Sequence, residues 1–64
     1  MKVKYNADMD ALVIRFSDSQ IDESSEDRPG VILDYDREGN VVRIEILKAS
    51  RRIGNPRNIE FEVA

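Results

Sequence analysis

Val31-Ile32-Leu33-Asp34-Tyr35, Asp36-Arg37-Glu38-Gly39-Asn40 and Val41-Val42-Arg43-Ile44-Glu45-Ile46-Leu47 follow one another without a break. In the first run Val31, Leu33 and Tyr35 fall on one side, with Ile32 and Asp34 on the other. In the last, Val42, Ile44 and Ile46 oppose Val41, Arg43, Glu45 and Leu47. A two-residue period places alternate side chains on opposite faces of an extended chain, so both runs read as strands. Between them lie five turn-forming residues, with Gly39 suited to a positive φ. The stretch is therefore an antiparallel hairpin.

The same rhythm extends outward. Met1, Val3 and Tyr5 alternate with Lys2 and Lys4, Asn6 to Asp10 collects turn formers, and Leu12, Ile14 and Phe16 alternate with Ala11, Val13 and Arg15. That predicts a second hairpin. Ser17 to Arg28 carries Asp18, Asp22, Glu23, Glu26 and Asp27 around the single large apolar residue Ile21. A solvated loop is the first reading and a charged edge strand, protected against unwanted pairing, the second. A helix fits by composition, but one isoleucine makes no apolar stripe. After Pro29-Gly30 and the central hairpin, Lys48 to Ile53 fits one helical turn, stopped by Gly54 and Pro56. Ile59, Phe61 and Val63 alternate with Glu60 and Glu62, which predicts a final strand. The expected fold is one mainly β domain over residues 1–64. It is a small antiparallel sheet of five to six short strands in hairpins, with a helical turn near residues 49–53.

Composition narrows the chemistry. The 64 residues contain no cysteine and no histidine. This removes disulfides, the usual zinc cage, thiol and imidazole catalysis, and the common haem and iron–sulfur ligands. Tryptophan is absent and aromatic residues are 6% of the chain, too few for a base-stacking platform. The net charge of −3 opposes binding to nucleic acid and to anionic membranes. No signal-peptide pattern or bilayer-length apolar run is present, so the expected location is the cytoplasm. Neither a catalytic residue nor a cofactor is expected.

Two clusters stand out as candidate sites. Asp34 to Glu45 imitates a calcium loop, with acidic residues at positions one, three and five, glycine at six and glutamate at twelve. Strand periodicity on both flanks favours a charged hairpin turn instead. Lys48, Arg51, Arg52 and Arg57 form the only basic cluster and are the candidate partner-binding residues. The alternative is that they complement a helix C-terminus or pair with the acidic segment.

Tyr5 to Phe16, Pro29 to Asp36 and Gly39 to Ser50 together resemble the short prokaryotic proteins grouped as domain of unknown function 2283. The likeness lies in a tyrosine before an aspartate turn, an "ALVIRF" strand, an acidic middle, "GVILDYD" and "IEILKAS". It covers roughly residues 3 to 52. The resemblance implies a stand-alone β-rich domain with an antitoxin-like or other partner-binding role, and it carries over no catalytic residue.

The small chain and the aliphatic Val13, Ile32, Val41 and Leu47 opposite the main apolar stripes point to a covered second face. Either the turn after Lys48 covers it or another chain does. The function expected is a non-enzymatic protein-interaction module that forms a homo-oligomer or binds a protein partner. The alternative is a nucleic-acid-associated regulator using residues 48–57.

Overall fold

A computed structural model describes residues 1–64. Five strands, β1 (Lys2–Asn6), β2 (Ala11–Arg15), β3 (Glu23–Arg28), β4 (Val31–Tyr35) and β5 (Val41–Leu47), are followed by one short helix, α1 (Ala49–Arg52). The strands form a single sheet in the order β1-β2-β5-β4-β3 with every neighbour antiparallel. Both expected hairpins are present. Their inner strands, β2 and β5, pair with each other and bring the two together.

The turns follow local chemistry. Asp36 closes the β4–β5 turn by accepting the Glu38 and Asn40 amides on Oδ1, at 3.0 and 2.9 Å. Gly39 has a φ of 84°, a conformation open to glycine at little cost. Asn6 accepts the Met9 amide at 3.1 Å in the first turn, and Asp10 leaves it in the left-handed region at φ 51°.

Residues 17–28 divide between the two readings considered for them. Ser17 to Asp22 is loop, tied down by the Asp22 amide on the Tyr35 carbonyl at 2.7 Å. Glu23 to Arg28 is an edge strand, exposed along its whole length. Its charged side chains meet water while its backbone completes the β4 ladder, so a strand without an apolar stripe is stable here.

The expected final strand at Ile59 to Val63 does not form. Those residues are exposed and belong to no ladder. Two-residue alternation records suitability for a sheet, and a strand also needs an edge to pair with.

The molecule is a slab of 32 × 32 × 19 Å. Its radius of gyration is 12.3 Å, whereas a compact 64-residue chain has about 10.7 Å. One sheet and four helical residues do not make two packed layers. Only six residues are buried, among them Leu12, the fully buried Val42 and the carboxylate-bearing Asp34.

Candidate functional site

Register decides what each face of the sheet carries, because directly paired residues share a face. On one face Val3, Ile14, Ile44 and Leu33 stand side by side across β1, β2, β5 and β4. Next to them runs a second row of Tyr5, Leu12, Ile46 and Val31. The two rows end on β3 at Ser25 and Arg28. Eight apolar or aromatic side chains thus form one continuous field, of which only Leu12 is buried. Val3 is exposed and the other six are half-buried.

The opposite face differs from the expectation. Val13, Ile32 and Leu47 are half-buried there, while Val41 is 38% exposed. Lys4, Val13, Glu45, Ile32 and Glu26 form one cross-strand row, so Val13 and Ile32 each stand between charged neighbours, while Leu47 pairs with Ala11. The methylene stems of such neighbours shield aliphatic surface while their charges stay in water. Beside this row Arg43 donates to Asp34 at 2.9 Å and reaches Glu45 at 3.5 Å. Ser24 on β3 donates to the other Asp34 oxygen at 2.6 Å. The charged face is therefore covered by its own side chains. The need for a cover moves to the face with the two apolar rows.

Exposed area supports that assignment. The chain exposes 5180 Å², about 1,000 Å² more than a compact monomer of its mass. A standard interface removes about 800 Å² per partner. The excess is of that order, and the unpaired segment Ile59–Val63 contributes to it alongside the sheet face.

The basic residues lie along the helix and the segment after it. Arg52 donates to the Pro29 carbonyl, and the Arg57 guanidinium lies 5.7 Å from the centre of the Tyr5 ring. Two of the four candidate partner-binding cations are thus engaged within the chain. Lys48 and Arg51 are exposed, and none of the four forms an ion pair with the acidic segment. Arg51 and Arg52 do occupy the last turn of α1, where positive charge is favourable. The calcium-loop stretch is hairpin, and its acidic residues at loop positions one and three are occupied: Asp34 by Ser24 and Arg43, Asp36 by backbone amides. A polar cleft of about 440 Å³ opens beside it, lined by Ser19, Gln20, Asp22, Asp36, Arg37 and Glu38. No apolar side chain lines it to exclude water from the carboxylates.

One cluster escaped the sequence reading. The Asp10 carbonyl accepts the Ala49 amide at 2.8 Å, and its carboxylate accepts the Ser50 amide at 3.0 Å and the Ser50 hydroxyl at 2.7 Å. Tyr5 donates its phenol to the same carboxylate at 2.7 Å. Asp10 thereby caps α1 from forty residues away, in place of Lys48, which makes no side-chain cap. A pairing so distant along the chain leaves no spacing signal. The Ser50 hydroxyl, then the Tyr5 phenol, hold the Asp10 carboxyl below its ordinary value of 3.8. The Asp10 hydrogen bond, aided by burial, raises the Tyr5 phenol above 10.0, with Arg57 opposing.

A lowered acid stabilises the fold above its ordinary range, and that contribution disappears as pH falls through the lowered value. A raised phenol contributes fully below 10.0 and is lost as pH rises through the raised value. The cluster is therefore intact at neutral pH and loosens at both extremes. In a Tyr35→Phe background, Asp10→Asn is expected to move the remaining phenol titration back towards 10.0 in ultraviolet absorbance. An unchanged titration midpoint would contradict the cluster.

No helix is long and apolar enough to cross a membrane. No curated protein and no solved structure matches the chain. A family model does match, over residues 2–50 of the 64, spanning all five strands and the start of α1. The chain accordingly belongs to the family described as "Protein of unknown function (DUF2283)".

Proposed function

We propose that this chain is a non-enzymatic protein-interaction module that associates with a second copy of itself through the apolar sheet face. The observation that carries the reading is the pair of apolar rows, eight residues of which only Leu12 is buried. Water against such a field costs about 25 cal/mol for each Å² of apolar surface. A single sheet with one helical turn covers it only in part, where Arg57 lies over Tyr5. The face lies within the residues the family model matches, and an apolar surface of this kind also suits the antitoxin-like role that the resemblance implies, in which it meets another protein. A cytoplasmic setting fits a chain without cysteine.

Light scattering on the purified protein over a wide concentration range tests the reading. The expected mass is a multiple of 7.4 kDa, and a single-chain mass at the highest concentration overturns it. Salt-sensitive binding to a mixed oligonucleotide pool, abolished by reversing Arg51 and Lys48, would favour the nucleic-acid reading instead. That reading has less support, since Arg52 and Arg57 already contact their own chain.

A further inference from the structure

We propose that the C-terminal segment Ile59–Val63 is an arm that adds as an antiparallel strand to the free edge of β1 in a second copy of the chain. The proposal rests on self-association and specifies one of its contacts.

The segment carries the pattern of a strand but pairs with nothing. Ile59, Phe61 and Val63 are 56%, 85% and 79% exposed, and Glu60 and Glu62 alternate with them. β1 is an edge strand whose only partner is β2, so the backbone groups on its outer side have no ladder. The two segments complement each other on both faces. With Val3 opposite Phe61 and Tyr5 opposite Ile59, the arm lengthens both apolar rows by one residue. The same register sets Lys2 opposite Glu62 and Lys4 opposite Glu60, and opposite charges facing across strands are favourable. Five extended residues cover about 17 Å, the length of the five-residue β1.

The acidic β3 edge does not offer this match, since Ser24 and Glu26 on its charged face give the arm's glutamates no cation, and Glu23 falls on the face of the apolar rows. A second copy is the fitting owner of the receiving edge. Pro56 is buried and Arg57 lies over Tyr5, so the arm starts near its own β1, yet it stays off that edge. Reciprocal exchange between two copies satisfies both edges with one contact type. The arm lies outside the family match, which ends at residue 50.

The chain has no cysteine of its own, which permits a direct test. Full-length Lys2→Cys and Glu62→Cys variants, each with one thiol, are mixed and oxidised. A disulfide-linked heterodimer in excess over the like-with-like products is expected, and a random mixture overturns the proposal. The double variant Lys2→Cys/Glu62→Cys, diluted before oxidation, checks which chain supplies the edge. A predominantly intramolecular disulfide means the arm folds onto its own β1 and overturns exchange. Reversing Lys2 and Lys4 to glutamate is expected to weaken association about tenfold, and adding Glu60→Lys and Glu62→Lys is expected to restore it. Circular dichroism on each variant confirms the sheet. A dimer by light scattering without the directed cross-link removes the arm and leaves the apolar-face reading standing. A monomeric full-length protein removes both.

Discussion

Replacing Arg43 with alanine is expected to lower the unfolding free energy by about 3 kcal/mol, because it strands a buried carboxylate. Asp34 is 3% exposed and its two oxygens are held by Arg43 at 2.9 Å and Ser24 at 2.6 Å. The Arg43 side chain is 30% exposed, so the effect belongs at the low end for buried pairs, where solvent relieves part of the charge. Ser24→Ala removes a neutral donor and is expected to cost about 1 kcal/mol. The double variant Asp34→Leu/Arg43→Met removes both charges together and is expected to recover most of the loss, since apolar replacements of buried pairs are often neutral. Urea unfolding of the four proteins checks the series, and a loss below about 1 kcal/mol for Arg43→Ala would contradict it. For a 64-residue domain, total stability is about 3–10 kcal/mol, so the single change takes away a large share.

Asp34 also shows where sequence reading stops. In Val31 to Tyr35 it is the polar member of an alternating strand, which predicts exposure, and that is correct for any strand beside a loop. Its burial depends on β3 lying alongside, and β3 has no apolar stripe by which to be recognised. The two hairpins were legible because each needs only local alternation and a turn. The helix was legible within a residue, since Gly54 and Pro56 follow it and basic residues fill its last turn. What alternation cannot supply is the neighbour. Val13 and Ile32 looked like a bare apolar reverse side until register set Lys4, Glu45 and Glu26 beside them. Ile59 to Val63 carries the right rhythm and pairs with no edge of its own chain, although the outer side of β1 is free. Asp10 and Ser50 meet only after β2 and β5 have paired. In each case the deciding contact lies across the sheet, and the residues flanking it in sequence do not report it.

Ile44→Glu is expected to abolish self-association while leaving the chain folded. Ile44 sits between Ile14 and Leu33 in the middle of an apolar row, and it is half-buried in the single chain. A glutamate there can turn its carboxylate to water as long as the face is open, so the folding cost is modest, about 1–2 kcal/mol. Covered by a second copy, the same carboxylate loses its water without gaining a cation, and a two-fold interface contains it twice. Weakening by more than about a thousandfold follows, roughly 4 kcal/mol or more. Light scattering should then give one chain's mass, and the melting temperature should no longer rise with protein concentration. Ile32→Glu makes the matched comparison. Ile32 lies on the charged face between Glu45 and Glu26, also half-buried, and a carboxylate there meets water whether or not the apolar face is covered. Association unaffected by Ile32→Glu but lost with Ile44→Glu assigns the interface to the apolar rows, because each substitution adds one carboxylate at a half-buried strand position and the two positions lie on opposite faces. The reverse pattern would place the partner on the charged face and withdraw the reading of the apolar one.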